Sequence, residues 1–248
     1  IIKTDAPIII GSPPCKPWSP LNTRRKGASH QDYICINAYF NHILANKPLI
    51  FIFENVPQIE NDPILKKNLQ KISQDYDYVI RNIRYSDYGA PTKRKRLFIF
   101  AFRKDLGLNL QEFLKELDEI GQKMPKKLVK DVIGHLVDVP EGKIKDHEWH
   151  KINFEKYGEK IKKKLYGCER IKWDDFFPSK GNLQKVLTLH PLLDRSLSIK
   201  ENLLLMGFPN SYEFPEGLSK WGRYQMIADA VSPTFSNVIA KALKKVLK

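Results

Sequence analysis

A chain of 248 residues is long enough for one large α/β domain and a smaller one, and no apolar run approaches the roughly 18 residues of a membrane span. Its formal charge of +14 points to a polyanionic partner, because each phosphate neutralised by Lys or Arg releases condensed counterions; nucleic acid leads, with an anionic membrane surface as competitor. Cys15, Cys35 and Cys168 cannot all pair and show no Cys-x-x-Cys spacing, which argues against a secreted disulfide scaffold and for a reducing cytoplasm.

Ile8-Ile9-Ile10 is an apolar β-branched run, the pattern of a strand covered on both faces in a parallel sheet, and Gly11 ends it. Pro13, Pro14 and Pro17 then stiffen a turn around Cys15, placing a thiol just beyond a strand's carboxyl end, where open α/β sheets place their ligands. Taken alone, Cys15 also reads as an inert structural cysteine. Residues 20 to 31 carry Arg24, Arg25 and Lys26 among small residues and read as a loop, either a solvated connection or a cationic lid.

Tyr33 to Leu44 has near-helical apolar spacing and stops at Lys47-Pro48. Leu49 to Phe53 is a continuous apolar strand that delivers Glu54 and Asn55 to the same sheet edge as Cys15, since parallel strands joined by a crossover helix end on one side. A buried carboxylate needs a partner or a task, and Glu54 alone reads equally as a capping or ion-paired residue. Asn61-Asp62-Pro63 opens a helix to about Ser73, Tyr78 to Arg84 is a strand, and Leu97 to Phe102 is another. Between them lies the basic run Thr92-Lys93-Arg94-Lys95-Arg96, whose alternation puts Arg94 and Arg96 on one side of an extended chain.

Leu110 to Ile120 forms a helix with Asn109 ahead as cap and Gly121 behind as terminator. From Gln122 to about His190 periodicity weakens and Lys160 to Lys164 forms a basic run, the mark of a second domain; Trp149, Tyr157, Tyr166 and Trp173 read as its core more readily than as base-stacking groups. His147-Glu148-Trp149-His150 lacks partners at ligand spacing, so no metal is expected. Ser198-Ile199-Lys200-Glu201 is a capping box for a helix that ends at Gly207, and Ser232-Pro233 opens the last helix, through Leu247.

Pro14-Cys15, Glu54-Asn55-Val56, Arg94-x-Arg96, Gly207-Phe208-Pro209 and Ala228-Asp229-Ala230-Val231, in this order, resemble the cytosine-5 DNA methyltransferase family from about Asp5 onward. The resemblance implies an α/β, Rossmann-like S-adenosylmethionine-dependent methyltransferase sheet plus a small target-recognition domain. Its implied boundaries are residues 1–121 for the catalytic part, 122–190 for recognition and 191–248 for C-terminal motifs returning to the catalytic part. It implies Cys15 as nucleophile, Glu54 as acid and Arg94 as the group holding cytosine. Pro14, Asp229 and Ala230 would meet S-adenosylmethionine, and Ser19, Arg24, Arg25, Asn55, Arg96 and Arg195 the DNA. Two departures stand out, Thr92 where the family usually has Gln and Asp229 where it usually has Asn.

The implied activity is methyl transfer to carbon 5 of a flipped cytosine in double-stranded DNA, in a cytoplasmic restriction-modification system. An RNA cytosine-5 methyltransferase and a non-catalytic DNA-binding remnant are the alternatives. The family's N-terminal cofactor-binding strand and glycine turn are not found before Ile8, so the expectation is that this chain needs a second polypeptide, or a longer chain, to transfer methyl.

Overall fold

The computed structural model describes residues 1–19, 22, 27–152, 168–180 and 187–247, which divide into two compact units. The first comprises residues 1–84, 95–117 and 242–248, and the second 85–94 and 118–241. The division departs from the expected return of the whole 191–248 segment to the catalytic part. Residues 191–241 fall in the second unit, where Leu197, Ile199, Leu203, Leu205, Met206, Phe214, Tyr224, Ile227 and Ala228 share a core with Val129, Ile133, Ile171 and Phe177.

The first unit is built on a four-stranded sheet in the order β1 (Ile8–Gly11), β2 (Ile50–Asn55), β4 (Lys95–Arg103), β3 (Tyr76–Arg84). β1 and β2 are parallel, with Gly11 opposite Phe53, while β4 runs antiparallel to both β2 and β3. The connection from β1 to β2 passes through α1 (Cys35–Asn46), as the apolar spacing predicts. Every residue of β2 is buried because the sheet is covered on both faces. On one face Phe51, Phe53, Leu97 and Ile99 pack with Phe40 of α1 and Leu65 and Leu69 of α2 (Pro63–Ile72). On the other, Phe100 and Phe102 meet Phe113 of α3 (Leu110–Lys123) at ring separations of 5.2 and 5.4 Å.

β1 does not share this coverage. It is an edge strand, and Ile10 is 67% exposed, so the expectation of a strand buried on both faces fails there. Gly121 is a second correction. It lies inside α3 rather than ending it, and is glycine because a Cβ would stand 2.4 Å from Cδ1 of Tyr88.

The second unit contains α4 (Val129–Ile133), the parallel pair β5 (Cys168–Arg170) and β6 (Leu187–Leu189), α5 (Ile199–Leu205), α6 (Lys220–Asp229) and the start of α7 (Pro233–Val246). The capping box at α5 is present, with Ser198 Oγ accepting Glu201 N–H at 3.0 Å and Glu201 accepting Ser198 N–H at 2.8 Å. Gly207 ends the segment at φ +87°, with Ser232 and Thr234 packed where a Cβ would stand. Trp173 packs on this core as expected, whereas Tyr157, Tyr166 and Lys160 to Lys164 lie outside the described residues. Among the described residues, no helix is long and apolar enough to cross a membrane.

Candidate active site

Parallel pairing of β1 and β2 means that both chains leave the sheet at the same end, one into the Cys15 turn and the other through Glu54 and Asn55. Gly11 makes the exit possible, since a Cβ there would stand 2.2 Å from the Tyr39 ring, which is itself held by a 3.0 Å hydrogen bond from its hydroxyl to Ile52 O. The turn closes on its own backbone, with Cys15 O accepting the N–H groups of Trp18 and Ser19, both at 3.0 Å. Cys15 is half-buried against the core of the unit, Pro14 is exposed and Ser19 is half-buried.

Two side chains tie this turn to the end of β2. Asn55 Nδ2 donates to Pro13 O at 3.0 Å, which makes Asn55 a brace of the loop. Ser12 Oγ donates to Glu54 Oε2, and Arg96 Nε lies 3.0 Å from Glu54 Oε1. The carboxylate is therefore one arm of an ion pair, with both oxygens engaged, which is one of the two readings that Glu54 alone allowed. Arg96, expected at DNA, is engaged with Glu54 and with Lys95 O at 2.8 Å. Sequence reasoning passed over Ser12, although strand register could have found it: Gly11 pairs with Phe53, so the next residue falls beside Glu54.

Arg94 belongs to the second unit, where it is buried and its Nη1 donates to Lys180 O at 3.1 Å. Thr92, in place of the expected amide, accepts Arg94 N–H at 3.2 Å. An isolated bridge between Thr92 and Phe177, with Lys93 N to Phe177 O and Phe177 N to Pro91 O both at 2.8 Å, fixes this segment to residues 175–180. Asp229 ends α6 with an exposed carboxylate that accepts from Gln225 at 2.8 Å, and the Ala230 N–H caps the helix on Met226 O. Arg24 and Arg25 lie outside the described residues.

Arg195 is not placed as a DNA contact. Its guanidinium is buried, donates to both oxygens of Glu201 at 2.8 and 2.7 Å and to Ser196 O at 3.0 Å, and lies 4.1 Å over the Trp149 ring. Burial opposes ionisation of Glu201, but the Arg195 pair and the Ser198 N–H hold its carboxyl below the usual range. Nearby, His190 Nδ1 accepts from the backbone of Leu192 and Leu193 at 3.2 and 3.1 Å, which fixes the proton of the neutral ring on Nε2. Burial, aided by the Arg195 and Arg170 charges against the pull of Glu201, lowers His190 to about 4. His147 is held between Ser198 Oγ and Val139 O, and among the described residues no group of His, Cys, Asp or Glu is arranged to hold a metal.

A cysteine in a proline-stiffened turn is thus tied to a carboxylate–arginine pair at one end of a mixed α/β sheet. The profile of the C-5 cytosine-specific DNA methylase family matches residues 1–245, and the chain belongs to that family. It is 30% identical to a provisionally assigned type II methyltransferase of Methanocaldococcus jannaschii, over 97% of this chain and 78% of that protein. It is 28% identical to the type II methyltransferase M.MthTI of Methanothermobacter thermautotrophicus, over 96% and 78%. The fold is shared with a provisionally assigned DNA modification methyltransferase of an Escherichia coli prophage, with a TM-score of 0.72 at 23% identity, covering 98% of this chain and 80% of that one. The protein is a DNA cytosine-5 methyltransferase.

Proposed function

We propose that this enzyme methylates cytosine through a Cys15 adduct, as a type II modification methyltransferase of a restriction-modification system in a prokaryotic cytoplasm. The observation that carries the mechanism is the joining of the Cys15 turn to the end of β2, by Ser12 on Glu54 and by Asn55 on Pro13 O.

Carbon 5 of cytosine is a poor nucleophile. Addition of the Cys15 thiolate to carbon 6 makes carbon 5 enamine-like, and the negative charge that develops on the ring must be met at nitrogen 3 and the carbonyl oxygen. Glu54, held by Ser12 and Arg96, passes to nitrogen 3 a proton that its carboxylate first takes up from solvent, and Arg94 serves the oxygen. Carbon 6 is covered in a stacked duplex, so the base is flipped out, and the +14 charge supplies affinity for the phosphates.

S-adenosylmethionine supplies an electrophilic methyl group when bound. Pro14, Asp229 and Ala230 would hold it: the exposed carboxylate of Asp229 suits an ammonium or hydroxyl donor, and the exposed Pro14 ring an apolar face. The Thr92 departure is accommodated by the bond to Arg94 N–H, which leaves the arginine segment supported.

In the active enzyme, Cys15→Ser should abolish transfer while DNA binding persists, and DNA containing 5-fluorocytosine should trap a covalent complex through Cys15. Near-normal turnover by Cys15→Ser sinks the mechanism.

A further inference from the structure

Asp62 caps α2, a task that needs one carboxylate oxygen: Oδ1 accepts Ile64 N–H at 2.9 Å. The same carboxylate does more. Oδ1 also accepts the Tyr33 hydroxyl at 2.6 Å, and Oδ2 accepts the Trp18 indole N–H at 2.8 Å. Trp18 and Tyr33 bound the stretch 19–32, and their rings meet at 5.5 Å between centroids. Trp18 is also the residue whose N–H closes the nucleophile's turn on Cys15 O, and its neighbour Pro17 accepts Gly27 N–H at 2.7 Å.

We propose that Asp62 is a positioning residue for the nucleophile: one carboxylate pins the chain just after Cys15 and the chain that returns to α1, and so fixes how the turn presents its thiol. The inference rests on the reading of Cys15 as nucleophile. Three donors converge on Asp62, and two acceptor oxygens are needed to serve them. An amide would keep the cap and the tyrosine bond through its oxygen but would set its own N–H groups against the Trp18 indole. Bonds to an ionised acceptor are the stronger kind, and they win here. Burial works against ionisation of Asp62, yet the bonds from Tyr33, Trp18 and Ile64 hold its carboxyl below the ordinary range. Burial and the Asp62 charge together push the Tyr33 hydroxyl up to about 12, so it remains a donor at neutral pH. A plain helix cap would call for none of this convergence from residues that bracket the Cys15 loop.

The test uses Asp62→Asn, Trp18→Phe, which keeps the ring but loses the N–H, and the double variant, all in the active enzyme and below their melting temperatures. Adduct formation on 5-fluorocytosine DNA and kcat should each fall about tenfold in either single variant, with KM for DNA unchanged, as misorientation of a reacting group without loss of binding requires. The double variant should be no slower than the singles, because both break the same contact. Wild-type adduct and turnover rates in Trp18→Phe and Asp62→Asn, or losses confined to KM or melting temperature, would overturn the proposal. Its failure is distinct from failure of the nucleophile reading, which Cys15→Ser decides by itself.

Discussion

Acidification should weaken the second unit in part through His190, and replacement of that one ring should remove its share of the effect, leaving the shares of His147 and His150, which burial also depresses. His190 is fully buried, with Nδ1 committed as acceptor to two backbone N–H groups, so its protonated form has nowhere to put the second proton. Its pKa of about 4 in the folded chain compares with 6.5 for the free side chain. A group whose folded pKa is depressed contributes stability that is present above its unfolded value and lost as pH falls toward the folded one. The window is therefore pH 6.5 down to 4. Between pH 8 and pH 5 the linkage comes to at most about 2 kcal/mol. His190→Asn offers an amide oxygen to the same two N–H groups and cannot titrate. Urea unfolding followed by tryptophan fluorescence should show the wild type more stable than His190→Asn at pH 8, with the gap shrinking by that amount at pH 5. A gap independent of pH would refute the assignment of a neutral, acceptor-locked ring.

Glu54→Gln should lower kcat by roughly a hundredfold or more, as loss of acid catalysis does, and Ser12→Ala should lower it by less while Ser12→Thr restores it; pre-steady-state transfer assays with kcat and KM resolved would show a structural role instead if only KM moved. The logarithm of DNA affinity should fall linearly with the logarithm of salt concentration, as expected for a chain of net charge +14 that binds through phosphates. A flat salt response in a filter-binding titration would assign that charge to another partner.

The parts of the site that lie along single strands were legible, because apolar runs with glycine or proline stops report strand ends, and parallel pairing follows from an intervening helix. The roles given to Cys15 and Glu54 came from the family resemblance alone, while their placement at strand ends and the cap at Asp62 were read this way. Ser12 and the further partners of Asp62 were not, since their contacts span 42, 44 and 29 residues of chain and depend on which strands and helices meet. Gly121 was misread for a related reason. A glycine after a helical pattern looks like a stop, but here it answers the close approach of Tyr88, a demand that no local pattern carries. Arg195 sits before a capping box whose Glu201 is its partner, so an internal ion pair could have been inferred from the six-residue spacing.

Recognition and cytosine-holding are expected to meet, as two separable tasks, at one short segment. Residues 175–180 lie in the region assigned to site choice, yet they hold the Arg94 segment by two backbone hydrogen bonds at Phe177, by Lys180 O on the guanidinium and by Asp175 Oδ2 on Lys93 at 2.7 Å. Phe177 is buried, so the segment is fixed by packing as well as by bonding. A chimera that takes residues 122–190 from a relative should acquire the relative's site preference, but it would also replace this support, and misplacement of a catalytic group by about 1 Å can cost on the order of a hundredfold in rate. A second chimera, identical except that Asp175 to Lys180 are restored, should keep the acquired preference and recover kcat. Equal kcat in the two chimeras would show that the segment does not position Arg94. Preference remaining with the parent in both would show that site choice resides outside residues 122–190. Recovery of rate without recovery of the parental preference would separate the two tasks within one stretch of chain.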